Sequence, residues 1–293
     1  MLGGCNMLSK NDALIKLEKD IEMRWYSQAT VKRYTYIVGK FLDYMNDSKP
    51  IEDLNEYDVI NYLNYLVKER NYKASTYNNV NAILKFFLEV TLEKDIGYRR
   101  LPNAKVEVRL KCIPTKKQIE KIITAESNLK RKCWYSLAYG SGLRTCEVAS
   151  LKVKDIRPSH MKVVVVGKGN KERITLLSEK TLKLLRLYCK ECGITRNDTY
   201  LFPGQSKEHI SESTISRSLS KIVLELGIED HITMHSFRRS FITDLLDMGV
   251  DIKTVSELAG HNSLSTTGGY TRLVRMETKI KNPLDSELYE IYN

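Results

Sequence analysis

The segment MKVVVVGKGNKERITLL, residues 161–177, is the part of this sequence that most clearly predicts β-structure. A run of β-branched residues, KVVVV, is followed by the polar segment KGNKE and then by RITLL. Two extended segments joined by a glycine-containing turn are typical of a β-hairpin. Most other periodic segments of the chain have helical spacing. The sequence therefore predicts a mostly α-helical fold with a small antiparallel β-sheet.

Helical patterns follow the hairpin to near the end of the chain. Predicted helices cover residues 179–192, 211–226, 236–248 and 252–259. Together with the hairpin they predict a mixed α/β domain over residues 115–275. Residues 276–293 form a C-terminal tail, in which apolar residues recur at helical spacing and predict a further short helix.

The first part of the chain, residues 10–98, has helical spacing throughout. Ser27 or Thr30 is the predicted cap of the second helical segment, Asp53 precedes the third, and Ser75 begins the fourth. Thr76 is the alternative start of the fourth segment. This pattern predicts a bundle of four helices. Residues 99–114 contain two prolines, a surplus of Lys and Arg and no sustained period, and they predict a basic linker.

The chain is strongly basic. Its 293 residues include 47 Lys and Arg against 36 Asp and Glu, a formal net charge of +11. This charge favours nucleic acid as a partner, although an acidic membrane surface or solubility alone also accounts for it. Two domains joined by a basic linker would suit a clamp around a duplex, but a two-domain metabolic enzyme has the same outline.

Composition also bears on location and on metal binding. No apolar run approaches the ~20 residues that span a bilayer, and the N-terminus lacks the order of a signal peptide, which predicts a cytoplasmic protein without a membrane partner. The six cysteines are scattered, as free thiols in a reducing compartment would be. Cys189 and Cys192 form one C-x-x-C pair without a second pair at zinc spacing, so a metal or redox role is disfavoured.

Two stretches carry basic residues in special local settings. In YGSGLRTCEVASL, Arg144 follows a Gly-Ser-Gly turn, and Glu147 lies three residues later on the same helical face. In the hairpin, Lys168 lies at the tip between two glycines, where little besides the loop limits its reach. An ordinary surface ion pair and a solvated turn lysine would explain these residues equally well.

Two further stretches carry histidines. In MHSFRRSF, His235 and Arg238 lie three positions apart near the start of a helix. In LAGH, His261 follows Gly260, a candidate helix end. The segment HNSLSTTGGYTR then brings Tyr270 behind two glycines. Taken singly, each residue has an ordinary structural explanation as a capping, core or surface side chain.

Taken together and in this order, these segments resemble the catalytic boxes of tyrosine recombinases, the phage-integrase and Xer-type site-specific recombinases. The resemblance covers the second domain almost end to end, and the first domain is similar to the family's helical core-binding domain in size and position. All six catalytic positions of the family are matched, by Arg144, Lys168, His235, Arg238, His261 and Tyr270.

The resemblance implies a role for each residue in breaking a DNA phosphodiester. Tyr270 is the nucleophile of a 3′-phosphotyrosyl intermediate, and with an ordinary pKa of ~10 its hydroxyl needs help at neutral pH. Arg144 and Arg238 stabilise the charge of the pentavalent phosphate. Lys168 is the general acid for the leaving 5′-oxygen.

The remaining matched residues have supporting roles. The resemblance implies that His235 is a general acid/base near the nucleophile, that His261 donates to the phosphate, and that Glu147 orients the basic groups around it. Because the phosphotyrosine retains the bond energy, neither a metal nor a nucleotide cofactor is implied. The pair Gly268–Gly269 departs from the family pattern and indicates extra mobility, dependence on a partner, or an accident of this sequence.

Contacts to DNA are predicted on helical faces in both domains. They are Arg217 and Lys221 on the helix over 211–226, and Lys32, Arg33, Lys73 and Thr76 in the first domain. Solvated helix faces have the same composition. The implied partner is double-stranded DNA with short inverted-repeat core sites, bound by a homotetramer on two sites, with the tail as a possible subunit-exchange helix.

Three alternatives stay open at this point. A type IB topoisomerase shares the chemistry, a DNA-binding regulator would keep the pocket as a vestige, and a metal-dependent hydrolase would use His235 and His261. Only about ten residues precede the first predicted helix, so we expect no separate arm-binding domain. The sequence does not indicate whether the enzyme serves a phage, a transposon, an integron or chromosome-dimer resolution.

Overall fold

The computed structural model describes residues 8–96, 101–106, 112–167, 172–195, 198–204 and 208–260. Three predicted catalytic residues, Lys168, His261 and Tyr270, lie outside these described residues, as do Gly268, Gly269 and the tail. The chain divides into two compact units, residues 1–109 and 110–293. The predicted domain boundaries at 98, 114 and 275 stay predictions.

The first unit is built from four α-helices: α1 Lys10–Glu22, α2 Gln28–Met45, α3 Glu56–Lys68 and α4 Ala74–Phe86. A short π-helical segment, Phe87–Thr91, continues α4. Each helix contributes fully buried apolar side chains to one core, among them Leu17, Phe41, Leu63 and Leu84. Burial of these faces drives the helices together.

The helix starts of the first unit agree only in part with the predicted caps. Ser27 caps α2, because its side chain accepts a hydrogen bond from the backbone of Thr30. The cap of α3 is Asn55 rather than Asp53, since Asn55 can exchange hydrogen bonds with the first turn of that helix. Ser75 lies inside the first turn of α4.

The described parts of the predicted linker are attached, each to its own unit. Asn78 of α4 donates to the carbonyl of Ala104 over 2.9 Å and accepts from its amide over 2.7 Å. In the second unit, the hydroxyl of Ser240 donates to the carbonyl of Pro114 over 2.7 Å. Residues 101–106 and 112–114 of the predicted linker are therefore hydrogen-bonded to their own units and do not form a free linker.

The second unit contains seven further α-helices in its described residues: α5 Lys116–Ala125, α6 Leu129–Gly140, α7 Thr145–Ser150, α8 Glu179–Glu191, α9 Glu212–Glu225, α10 Met234–Asp247 and α11 Ile252–Ala259. The four that the sequence predicted agree within two residues at each end. Three strands accompany them: β1 Ile156–Arg157, β2 Lys162–Val166 and β3 Glu172–Leu176.

The strands form one antiparallel sheet in the order β1-β2-β3. The predicted hairpin is β2 and β3, with Val166 opposite Glu172 at the end next to the connecting loop. The fold class, mostly helical with a small antiparallel sheet, is confirmed. Among the helices that the structure describes, none has the length and apolar character needed to cross a membrane.

A tight turn between α6 and α7 sets the position of Arg144. Gly142 has a φ of +62°, and a Cβ there would lie 2.4 Å from Cδ1 of Phe241 on α10. Only glycine fits this position without strain. The turn therefore packs directly against Phe241 of α10, and α11 packs against β3.

Candidate active site

Arg144 immediately precedes α7, and Glu147 of the same helix holds it in two ways. The backbone amide of Arg144 donates to Oε2 of Glu147 over 2.7 Å, and its Nη1 donates to Oε1 over 2.7 Å. Its Nη2 donates to the carbonyl of Gly260, at the end of α11, over 2.9 Å. The side chain is 36% exposed, so this oriented guanidinium is open to solvent.

Glu147 is the buried centre of the cluster. Both of its carboxylate oxygens accept from Arg173 of β3 over 2.7 Å, in addition to the bonds from Arg144. Burial alone would raise the pKa of Glu147. The hydrogen bonds and charge of Arg173, followed by the bonds from Arg144, outweigh burial and lower the pKa to about 2. Glu147 is therefore an anion at every physiological pH.

Arg238 of α10 is the buried arginine of this site, and its side chain is only 1% exposed. Its Nη1 donates to the carbonyl of Gly142 over 2.5 Å, and its Nη2 donates to the carbonyl of Ala259. Nη1 is also 3.9 Å from Oε2 of Glu147. The turn before α7 and the end of α11 thus both bind one guanidinium, which fixes its direction.

His235 lies one turn before Arg238 on α10, with an exposed side chain. The helix begins just before it, because Thr233 caps α10 through the backbone of Ser236. His235 and Arg238 therefore share a side of α10, as their spacing predicted. The structure brings Arg144, Glu147 and Arg238 into one cluster, with His235 on the same helix as Arg238.

Two of the three predicted catalytic residues outside the described part, Lys168 and His261, have described neighbours in the sequence. Val166 and Glu172 end the paired part of the hairpin on either side of the segment that contains Lys168. Gly260, with a φ of +63°, ends α11 directly before His261. No described neighbour bears on Tyr270 or on the tail. The assigned roles of all six catalytic residues and of Glu147 stay predictions.

Arg173 is a member of the cluster that the sequence analysis missed. The strand ERITL alternates in burial, with Arg173 and Thr175 directed inward while Ile174 and Leu176 are 54% and 40% exposed. Alternation of apolar residues would favour the opposite face as the buried one. The sequence therefore carried no clear signal for Arg173, because the burial of its face is visible only in the structure.

The predicted DNA-contacting residues are all exposed. In the first unit, Lys32, Lys73 and Thr76 are at the surface, and Nη2 of Arg33 donates to Asn79 of α4 over 2.6 Å. On α9, Nε of Arg217 donates to a carbonyl of its own helix over 3.2 Å. Lys221 of the same helix lies 3.7 Å from Glu225. Their role in binding DNA stays a prediction.

No group of three or more described His, Cys, Asp or Glu residues is arranged to hold a metal ion. Cys189 lies on α8 and Cys192 at its end, and both are free thiols. The C-x-x-C pair thus belongs to an ordinary helix.

Models of known families match both units. A model of the phage integrase family matches residues 114–276, and a model of a phage integrase N-terminal SAM-like domain matches residues 14–98. A tyrosine recombinase of Pseudothermotoga lettingae is 33% identical over 88% of this chain and 92% of its own length. Tyrosine recombinase XerA of Pyrococcus horikoshii is 31% identical over 90% of each chain.

Solved structures have the same fold. The crystal structure of XerA recombinase is 25% identical, with a TM-score of 0.53 over 94% of this chain and 99% of that chain. XerH recombinase bound to palindromic difH substrate is 21% identical, with a TM-score of 0.70 over 92% and 82%. A lambda integrase tetramer bound to a Holliday junction is 22% identical, with a TM-score of 0.69 over 89% and 80%.

Proposed function

This chain belongs to the phage integrase family of tyrosine recombinases, and from that premise we propose which residues carry its reaction, which DNA it binds and in what assembly. Its activity is the breaking and rejoining of DNA strands in site-specific recombination. The observation that carries the assignment of residues is the convergence of Arg144 and Arg238 on Glu147, where α7, α10 and α11 meet.

Arg144 and Arg238 bind the scissile phosphate. Negative charge grows on its non-bridging oxygens as the phosphorus becomes pentavalent, and fixed guanidinium donors stabilise that charge best when they need not reorganise. Arg144 is already oriented and is partly exposed. Arg238 is oriented but covered, so binding of the phosphate requires that its bond to the Ala259 carbonyl opens.

Tyr270 carries out the cleavage. Its oxygen forms a bond to phosphorus, its proton passes to His235, and the bond from phosphorus to the 5′-oxygen breaks. The electron pair leaves with the 5′-oxygen, which takes a proton from Lys168, while His261 donates to the phosphate. Rejoining is the same reaction with the 5′-hydroxyl of another strand as the nucleophile.

The partner is double-stranded DNA with short inverted-repeat core sites. The net charge of +11 suits a polyanion, and the XerH and lambda integrase structures of the same fold contain a palindromic difH substrate and a Holliday junction. We assign the sequence-reading contacts to exposed residues: Lys32, Arg33, Lys73, Thr76, Arg217 and Lys221. The role is that of a simple recombinase, which resolves or moves a replicon or mobile element.

The working assembly is a homotetramer on two DNA sites, in which the tail of each subunit contacts its neighbour. Deletion of residues 282–293 should therefore spare the binding of one subunit to a half-site, while cooperative assembly and strand exchange fall together. Gel-shift titrations on half and full sites measure this. A truncated protein that assembles and recombines normally would contradict the tail's role.

The nucleophile is tested with a trapping substrate. Selection of binders from a pool of random duplexes supplies a site, called here the selected duplex, and a nick beside the scissile phosphate prevents religation. We expect the intact protein to form a covalent adduct on a denaturing gel, and Tyr270→Phe to bind equally but form none. Tyr57→Phe, the same change at an exposed tyrosine of α3, is the control. An adduct that persists in Tyr270→Phe assigns the reaction to another residue.

A further inference from the structure

Arg173 uses its guanidinium entirely within the protein. Nη1 and Nη2 each donate to one oxygen of Glu147 over 2.7 Å, and Nε donates to the carbonyl of Leu258 over 3.1 Å. Its side chain is 11% exposed. One arginine thus connects β3 to α7 and to the end of α11. A guanidinium engaged on all three nitrogens in this way is oriented for structure rather than for a phosphate.

The stem of Arg173 also packs on the backbone that holds Arg144. A Cβ at Gly260 would lie 2.6 Å from Cδ and 3.0 Å from Nε of Arg173. The carbonyl of the same Gly260 accepts from Arg144. Arg173 and Arg144 therefore share two contact points, the carboxylate of Glu147 and the backbone of Gly260.

The charges of the cluster indicate what Arg173 contributes. Three guanidinium groups, of Arg144, Arg173 and Arg238, surround the single carboxylate of Glu147, which leaves two net positive charges. Without Arg173, the carboxylate oxygens that it occupies would be open to Arg144 and to Arg238, which is already 3.9 Å away. Each arginine drawn into a closer pair with Glu147 is less available to a phosphate.

We propose that Arg173 is a positioning residue for DNA cleavage: it occupies Glu147 so that Arg144 and Arg238 keep their charge and direction for the scissile phosphate. This inference rests on the proposed function of those two arginines. Arg173 does not contact the substrate. Its effect reaches the reaction through the carboxylate and through the end of α11.

The test uses three versions of the nicked selected duplex. The first has an ordinary scissile phosphate. The second has a methylphosphonate there, in which a methyl group replaces a non-bridging oxygen and removes the negative charge that the arginines stabilise. The third has a 5′-bridging sulfur, whose leaving group needs no proton. Single-turnover cleavage is measured on each with the full chain.

For Arg173→Gln we expect cleavage of the ordinary phosphate to fall roughly 10- to 100-fold, the scale seen when an outer-shell partner of a functional group is lost. On the methylphosphonate, the variant should come within about threefold of the intact protein, because the missing stabilisation of charge no longer matters. The sulfur substrate should leave the defect unchanged. Arg157→Gln, an exposed arginine on β1 of the same sheet, is the matched control and should cleave normally.

Two outcomes overturn the inference. Equal losses on all three substrates indicate a general structural role, and rescue by sulfur alone indicates that Arg173 acts on the hairpin and its general acid. Arg144→Ala is measured beside it: if the methylphosphonate fails to rescue Arg144→Ala, the proposed function of that arginine is wrong, whatever Arg173 does. If Arg173→Gln does not fold, Arg173→Lys, which keeps the charge and loses the fork, takes its place with the same pattern expected.

Discussion

Cationic side chains have opposite surroundings in two regions of the molecule, the exposed helix faces and the arginine cluster, which consists of Arg144, Arg173 and Arg238 around Glu147. Arg238 and Arg173 are 1% and 11% exposed and are bound to a carboxylate or to backbone carbonyls of other elements. Lys221 is 71% exposed, and its ion-pair partner is one turn away on its own helix. The buried guanidinium groups therefore have one fixed orientation, whereas the exposed ammonium group of Lys221 can adopt many.

This difference indicates which substitutions should have large effects on the reaction or on stability. The bonds that a buried guanidinium makes within the protein compensate its desolvation and fix its direction before substrate binds. An exposed lysine gains little from its partner because solvent and salt screen the pair. We expect substitutions in the cluster to change chemistry or stability, and substitutions on the exposed faces to change the salt dependence of binding.

The largest expected effect is on catalysis. Arg144→Ala and Arg238→Ala should each slow cleavage of the selected duplex about 10²- to 10³-fold, the range for the loss of one preorganised transition-state donor. Binding of the duplex should change far less. Circular dichroism checks the fold of Arg238→Ala, since that side chain is buried. A loss below about tenfold in a folded variant would remove that arginine from the phosphate site.

Much of this architecture follows from local patterns. The helix periods and the hairpin are local features, and the predicted helices of the second unit end within two residues of the observed ones. The start of α3 depended on a choice between neighbouring polar residues, and Asn55 forms the cap because Asp58 lies where it can return a hydrogen bond. The exact residue at which such a helix begins depends on single hydrogen bonds.

The cluster itself could be predicted only in part. Arg144 and Glu147 are three residues apart, and their pairing was visible as a short spacing. Arg173 is 26 residues from Glu147, and its own strand has an alternation that favours Ile174 as the buried residue. The carboxylate across the fold reverses that preference, because a bidentate ion pair compensates the burial of an arginine where an isolated charge would not be tolerated.

The second prediction concerns the stability that Glu147 supplies. Its pKa in the folded protein, about 2, is below the ordinary value of 4.5, so this stabilisation is present above pH 4.5 and is lost as the pH falls toward 2. Glu147→Gln should lower the free energy of unfolding by about 3 kcal/mol at neutral pH.

The deficit of Glu147→Gln should shrink steadily between pH 5 and about pH 2, as measured by urea unfolding at each pH. Glu172→Gln, on the exposed face of β3, is the control and should change the free energy by no more than about 0.5 kcal/mol. A deficit that stays constant down to pH 2 would mean that shape, rather than charge, makes Glu147 important.

The third prediction separates backbone strain from crowding at the turn before Arg144. Gly142→Ala requires a positive φ and drives a methyl group into Phe241, so it should lower the free energy of unfolding by about 2–3 kcal/mol. Gly249→Ala also has a positive φ, +83°, but no atom lies within 4 Å of its Cβ position. It should cost only about 1 kcal/mol. Equal losses in the two thermal melts would show that contact with Phe241 does not matter.

The smallest effects are expected on the exposed faces. Lys32→Ala, Lys73→Ala and Arg217→Ala should each weaken binding of the selected duplex modestly and reduce the slope of log affinity against log salt by about 1, since each removes one phosphate contact. Lys183→Ala, an exposed lysine on α8 outside the predicted contacts, is the control and should leave the slope unchanged. Titrations between low and physiological salt measure these slopes.

The same variants, once bound at low salt, should cleave the duplex at the rate of the intact protein. An exposed cation that neutralises a backbone phosphate has no part in stabilising the pentavalent phosphate at the cleavage site. A variant that binds normally but cleaves slowly would show that an exposed helix face also shapes the reaction.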